Sequence, residues 1–464
     1  MLENRMLGDR AEFQGKFWLP SDAEHRVSGT LVCHAGRFEL SLIGTFDRSG
    51  FVNPALDRAD IILGATNGGN CTLLRTHQTN AEQKFFSRGI HVARTTFAAT
   101  YVFVGNHFES GSDVEFAEME FGFDLLEAWV GHHPFSSERE ETEAGRRVAL
   151  ARHVFEEPFE IRLADAAATI RLNHTLSERG ELFRSFTWEQ RAGLRLQPDT
   201  PQAWTWFEQQ LSELRRLLTL LCGEPAVLER ALGRSRDAER LDTEVFVPDA
   251  TEPRRDRAHP VEMLLPRDAL GDDLPAVFSS WFEKRDLLQT AAGLYFGTLY
   301  NPRAPLEFQF LALTQALESL HRRLVGGQYV SDEEYAAVAD ALVAALPSSA
   351  PAGLRDSLKA RLQYGNELSQ RRRFKELVDL VGRQAAVLVD LHGDFVQRVV
   401  AQRNYLTHDV PDGRYPPMDL GELYRYVLRL RAFTAVLLLR EIGVDPARSV
   451  EAIRKLRWFR SFVA

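Results

Sequence analysis

The hydrophobic residues of this sequence change their period part-way along the chain. After Leu274 the apolar residues recur at steps of three and four. Leu306, Phe310, Leu313, Leu317, Leu320 and Leu324 form an uninterrupted stripe down one face of a helix. A helix with one apolar face has to bury it against other helices. Ser331 followed by Glu334 has the form of a capping box and predicts a helix over Ser331–Leu346. Leu354–Leu391 reads as a long helical region broken by Gly393, with Asp394 placed to cap a helix from Phe395 to about Thr407. Pro411, Pro416 and Pro417 make a loop, and Asp419-Leu420-Gly421-Glu422 caps a helix running to Ile442, before Gly443. The expectation is a bundle of about five helices over residues 275–464.

The first ~130 residues follow a different rule. Short runs of β-branched and aromatic residues, among them Phe38–Phe46, Ile61–Leu63 and Thr96–Val104, are separated by turn residues. The turns fall at Asp47–Gly50, Thr66–Asn70, Gly105–Asn106 and Gly111–Asp113. A further strand pair is expected at Phe159–Leu163 and Ala168–His174. Trp204, Phe207, Leu211, Leu214, Leu218 and Leu221 mark one helix near 202–222, started by Pro201 and stopped by Gly223. Strands return at Glu244–Val247 and Met263–Leu265. The polar, proline-bearing Pro248–Pro260 reads as a loop or linker. The fold class is therefore α+β in two domains: a β-rich domain over 1–265 and an all-α bundle over 275–464. The boundary falls near 250–278.

Composition removes several functional classes. No apolar run approaches the roughly 20 residues of a membrane span, and Ala435–Leu439 is closed by Arg440. The opening MLENRMLGDR has no apolar segment, so neither a signal peptide nor a membrane role is expected. The three cysteines, Cys33, Cys71 and Cys222, are far apart. That argues against a zinc ribbon or a disulfide scaffold and makes the cytoplasm the expected compartment. Charge is uneven. Residues 353–464 carry 20 Lys and Arg against 13 Asp and Glu (+7), leaving 36 against 52 (−16) for residues 1–352. A basic end on an acidic chain suits a polyanionic partner, or simply a solvated helical surface.

Most motif candidates fail on context. Gly64–Asn70 lacks the Lys-Ser/Thr of a phosphate loop and reads as a hairpin turn. His132-His133-Pro134 has no partner at ligand spacing, so no metal and no cofactor are expected. No H-E-x-x-H, G-x-S-x-G or kinase set is present.

One constellation survives: Arg403-Asn404-Tyr405-Leu406-Thr407-His408, then Asp409. An imidazole can take a proton from a ribose 2′-hydroxyl or give one to a leaving 5′-oxygen. A guanidinium can hold the scissile phosphate. The bare spacing also occurs at Arg254 and His259, and Arg147 and His153 come close, so helix context decides. Arg403 lies four residues after Val399 on an apolar face made with Val396 and Leu406. It therefore points toward the bundle or an interface rather than squarely into water. Asn404 and His408, four residues apart, can meet. A structural Arg–carboxylate pair with a helix-terminal His fits the same pattern.

The segment Gln402–Val410 resembles the RNase motif of HEPN domains: an Arg, a polar neighbour, and a His after four to six residues. Phe310–Arg323, Arg361–Val378 and Val436–Val444 resemble the C-terminal HEPN part of the ApeA family. Gly15–Val32 together with Phe38–Phe46 resembles that family's β-rich N-terminal domain. The resemblance implies a bacterial abortive-infection protein whose ribonuclease is triggered by phage. It implies a homodimer through the helical domain, with two motifs in one cleft. Arg403 and His408 match the catalytic Arg and His, and Asn404 the polar neighbour. Glu318 and His321, one residue off the stripe of their helix, are candidates with Tyr405 and Asp409 to line the same cleft behind the catalytic pair. Paired or solvent-facing roles are the alternative for Glu318 and His321.

The expected function is a metal-independent endoribonuclease acting on RNA, with tRNA a candidate substrate. It would leave 2′,3′-cyclic phosphate and 5′-hydroxyl ends. The acidic N-terminal domain is expected to sense an unknown phage-derived trigger or restrain the nuclease. Two rivals stand beside this reading. One is a non-catalytic HEPN-like module for RNA or nucleotide binding or dimerisation, with a ligand-sensing β domain. The other is a carbohydrate- or peptide-binding β domain using Phe17, Trp18 and Trp129, whose alternative role is core packing.

Overall fold

The computed structural model describes residues 6–48, 59–85, 91–141, 147–156, 158–181, 184–236, 238–248, 259–384, 388, 394–409 and 412–462. The chain divides into two compact units, Met1–Phe282 and Glu283–Ala464. The first is built on a β-sheet and the second is all-helical, so the class is α+β.

In the first unit fifteen strands among the described residues share one antiparallel sheet, fourteen along one path and Gln202–Ala203 pairing off it with Glu115–Phe123. Its path starts at Glu160–Leu163 and passes through Ala168–Glu181, Ser185–Pro198, Glu115–Phe123, Leu228–Ser235, Thr243–Phe246 and Tyr101–Val104. It continues through Gly69–Leu74, Ile61–Thr66, Ala11–Trp18, Val27–His34, Arg37–Ile43 and His91–Ala99 to His77–Phe85. The edge-ward Arg37–Ile43 alternates, with Phe38, Leu40 and Leu42 buried and their neighbours exposed. Tyr101–Val104 and Thr243–Phe246 in the middle are buried at every residue, as strands covered on both faces must be. The long helix of this unit, Trp204–Cys222, buries Trp204, Phe207, Leu211, Leu214, Leu218 and Leu221. It ends at Gly223, whose φ of 77° lets its N–H cap the Thr219 carbonyl. The Thr66–Asn70 turn is the hairpin between Ile61–Thr66 and Gly69–Leu74.

Several sequence expectations give way here. Met263–Leu265 is not a strand. The Leu264 and Leu265 N–H groups donate to the Cys222 and Leu221 carbonyls, so these apolar residues cover the end of the helix instead. The Thr96–Val104 run splits at Thr100 into His91–Ala99 and Tyr101–Val104, which pair with different strands. The hairpin of Phe135–Glu141 with Arg147–His153 forms a separate two-stranded sheet that the sequence did not single out. Phe17, Trp18 and Trp129 are buried, which removes the aromatic groove they were considered for. Residues 249–258 of the suspected linker and the end of the Asp47–Gly50 turn lie outside the described residues.

The helices are labelled in chain order: α1 (Leu126–Val130), α2 (Trp204–Cys222), α3 (Arg267–Leu270) and α4 (Leu274–Glu283). Phe278 of α4 packs on Trp129 and Phe159 in the first unit, although its sequence period had grouped it with the later helices. The second unit contains α5 (Arg285–Tyr300), α6 (Leu306–Leu324), α7 (Asp332–Ala344), α8 (Ala352–Leu362), α9 (Gln370–Val381), α10 (Phe395–His408), α11 (Leu420–Glu441), α12 (Pro446–Lys455) and α13 (Arg457–Phe462). Nine helices among the described residues replace the five expected, because turns too small to read from periodicity divide the runs.

The Leu354–Leu391 region shows why. It breaks after Leu362, where Asn366 turns its side chain into the fold and bonds the Tyr329 and Val330 backbone. Ser369 then caps α9 through the Arg372 N–H. Gly393 lies outside the described residues. Asp394 sits at the N-cap of α10 but its side chain makes no capping hydrogen bond, contrary to expectation. Asp419 does cap α11, accepting from the Glu422 N–H at 2.7 Å. Ser331 and Glu334 form the full capping box of α7. At the centre, α6 touches α5, α9, α10 and α11, with Phe310, Leu313, Leu317 and Leu320 buried.

Candidate active site

Helix α10 carries the constellation on its last two turns. Phe395, Val396, Val399 and Gln402 are buried, whereas Asn404, Thr407 and His408 are exposed. At 100° per residue Arg403 falls on the margin between these faces, and it is half-buried. The margin is where a guanidinium keeps its stem in the fold and its head in the open.

The bonding of Arg403 separates the two readings of the sequence. A structural Arg–carboxylate pair requires a carboxylate within ion-pair distance. Among the described residues Arg403 has none. Among the same residues its guanidinium makes one hydrogen bond, from Nη1 to the neighbouring Asn404 Oδ1, at 3.3 Å. Five residues earlier, Arg398 shows what pairing looks like: Nε and Nη2 fork onto Glu422 at 2.9 and 2.6 Å, and Nη1 reaches the Pro416 carbonyl. The His408 side chain also has no hydrogen-bond partner among the described residues, and no side-chain bond joins it to Asn404. The helix closes cleanly beneath these groups. Thr407 Oγ1 donates to the Arg403 carbonyl at 2.9 Å, and Asp409, at φ 54°, caps the Tyr405 carbonyl through its N–H.

Tyr405 is half-buried and Asp409 exposed, and the backbone bond from the Asp409 N–H to the Tyr405 carbonyl joins them. Glu318 and His321 do not join Arg403 or His408 by any hydrogen bond or ion pair among the described residues. They belong to a polar cluster between α6 and α9, two of the helices on which α10 packs. His321 is fully buried, not solvent-facing. Its Nδ1 lies 3.3 Å from Nη1 of Arg373, which can only donate, so Nδ1 accepts. The proton is therefore on Nε2, which donates to Glu376 Oε2 at 2.7 Å. Arg372 and then His321 hold the Glu376 carboxyl below its ordinary range. Arg373 is itself 0 % exposed and donates to the carbonyls of Leu368, Gly326 and Gly327. Glu318 pairs with Arg322 at 3.3 Å.

Sequence reasoning missed Arg373, Glu376 and Gln402. Gln402 had a visible signal, since it is a polar residue three positions after Val399 on the apolar stripe. It is buried, and its Oε1 accepts from the Met418 N–H at 2.9 Å, which ties the loop after His408 back to the helix. Arg373 carried a similar signal, four positions before Leu377 on the buried face of α9, but its bonds to His321, Gly326 and Gly327 reach another part of the chain.

Residues 12–281 match the family described as ApeA N-terminal domain 1. The chain belongs to the ApeA family. Residues 311–448 match the Apea-like HEPN domain, which takes in α7 to α11 and the whole Arg403–His408 segment. No curated protein and no solved structure matches the chain. The ApeA assignment joins the sheet unit to the helical unit in one architecture. Among the described residues, no helix is long and apolar enough to cross a membrane, and no group of three or more His, Cys, Asp or Glu is placed to hold a metal ion.

Proposed function

We propose that this ApeA-family protein is an anti-phage endoribonuclease of the HEPN type, with Arg403 and His408 as its catalytic pair. What supports this reading is a half-buried Arg403 with no carboxylate partner among the described residues, and an exposed His408 five residues on along the same helix, α10. Such an arginine is kept for an anion that arrives from outside.

In this reading His408 removes the proton of a ribose 2′-hydroxyl, whose oxygen attacks the adjacent phosphorus. Arg403 holds the phosphate oxygens as charge grows on them. The bond to the 5′-oxygen breaks, and that oxygen takes a proton from a second imidazole. The fragments carry 2′,3′-cyclic phosphate and 5′-hydroxyl ends. The nucleophile belongs to the substrate, so the side chains carry the reaction without a metal. One α10 offers one such imidazole, and a second copy supplies the other. Asn404 steadies the guanidinium through Oδ1. The cluster of His321, Arg373 and Glu376 holds α6 and α9 as the platform for α10. The β unit serves as the sensor for a phage-derived trigger, and tRNA is a substrate to test first.

The test is cleavage of total bacterial RNA in EDTA by the purified full chain, by Arg403→Ala and by His408→Ala, with and without extract of infected cells. The reading expects cleavage by the unaltered chain only. Equal cleavage by all three assigns the site elsewhere. Binding of RNA retained by all three without any cleavage favours a non-catalytic module.

A further inference from the structure

Helix α7 is anomalous. Tyr335–Leu346, YAAVADALVAAL, contains one charged residue, Asp340. A helix that apolar belongs in a core, yet no residue of α7 or of its neighbour α8 is buried. The pair is not a loose excursion. The capping box fixes the start of α7, Tyr335 Oη donates to the Leu362 carbonyl of α8 at 2.5 Å, and the buried Asn366 clamps the chain at the base. Tyr335, Ala339, Val343 and Leu346 are half-buried on one side. A second stripe, Val338, Ala341, Leu342 and Ala345, faces open solvent, with Val338 51 % and Leu342 50 % exposed. Leu354 of α8 is 52 % exposed as well. Exposed apolar surface on a rigid frame marks an interaction site.

We propose that this face pairs with the same face of a second copy of the chain, α7 running antiparallel to α7 across a two-fold axis near Ala341. Two observations select this occupant. The open stripe has the three- and four-residue spacing of a helix–helix seam, with alanines that permit close approach, so it complements itself under a two-fold rotation. Charge then sets the direction. Asp332, Glu333 and Glu334 crowd the first turn of α7. Parallel pairing would set these carboxylates against their own copies. Antiparallel pairing brings them to the far end of the partner helix, beside the α7–α8 turn. Arg355 sits there, its Nη2 on the Pro347 and Ser348 carbonyls. The inference rests on the reading above in one respect, that two copies are needed to supply two imidazoles. A hairpin this short makes a small interface, so the pairing should dissociate on dilution.

The test uses the full chain and does not involve RNA, so its failure is distinct from failure of the nuclease reading. Cys33, Cys71 and Cys222 are buried and leave the surface free of thiols. Ala341→Cys, mildly oxidised at tens of micromolar, should give a covalent dimer on a non-reducing gel. Glu333→Cys should not, because antiparallel pairing separates its two copies by roughly 24 Å at 1.5 Å per residue. Adding Leu342→Glu to Ala341→Cys should abolish the cross-link while circular dichroism stays unchanged. A monomeric Ala341→Cys under oxidation overturns the proposal. So does cross-linking that survives Leu342→Glu, or self-linking by Glu333→Cys.

Discussion

Truncation of Arg403 and of Arg398 to alanine should have opposite consequences, although the two lie five residues apart on α10. The side chain of Arg398 is 15 % exposed and forks onto a Glu422 side chain that is 24 % exposed. Removing it strands a half-buried carboxylate and frees the Pro416 carbonyl, at a cost of about 2–3 kcal/mol. Removing Arg403 forfeits one 3.3 Å bond to an exposed neighbour and some packing of its stem, about 0.5 kcal/mol. For a unit of this size, each kcal/mol moves the melting temperature by about 2–4 °C. Arg398→Ala should therefore lower the transition of the helical unit by about 5–10 °C, and Arg403→Ala by about 2 °C or less. Activity should run the other way: Arg403→Ala loses about 100- to 1,000-fold in cleavage rate, the usual loss for one transition-state donor. Differential scanning calorimetry and an RNA cleavage assay on the same preparations give both readings. An Arg403→Ala as unstable as Arg398→Ala would refute the argument, because the guanidinium would then be a structural group.

Further outcomes follow from the same contacts. Arg373→Met leaves three carbonyls and His321 Nδ1 without their donor, which should cost about 3 kcal/mol or more and be visible as a large drop in the same transition. Asp419→Ala should cost about 1 kcal/mol as a lost cap, while Asp394→Ala, with no capping bond to lose, should cost less in urea titration. Burial, then the carboxylates of Glu127 and Asp124, push the Glu229 carboxyl from 4.5 up to about 7. The folded chain therefore holds a proton that the unfolded chain releases. Glu229 favours folding most at low pH and loses that contribution as pH rises from about 4.5 to 7. Thermal melts of Glu229→Gln should accordingly gain on the parent between pH 5 and pH 8, and a constant difference would contradict this.

Local signals were legible, and distant ones were not. The Gly223 stop of α2, the Ser331–Glu334 box and the Asp419 cap each depend on residues within four positions, so they could be read directly, whereas α2 starts at Trp204 after the short strand Gln202–Ala203 and not at Pro201. Strand order could not: Tyr101–Val104 lies beside Thr243–Phe246, some 140 positions away, and nothing in either run names the other. The break after Leu362 depends on Asn366 reaching back to Tyr329 and Val330, a tertiary bond invisible to periodicity. The site divides the same way. That Arg403 and His408 share one helix was readable, because their spacing is local. Whether Arg403 had a carboxylate partner was not, since any such partner would come from another element. His321 was placed one residue off its stripe, yet it is buried, because Arg373 and Glu376 on α9 satisfy both ring nitrogens.

The most direct test of the central claim is the chemistry of the cut ends. RNA fragments made by the full chain in EDTA should carry 2′,3′-cyclic phosphate and 5′-hydroxyl termini, and these should vanish with His408→Ala. Fragments with 3′-hydroxyl and 5′-phosphate ends, or cyclic-phosphate ends that persist in His408→Ala, would contradict the account.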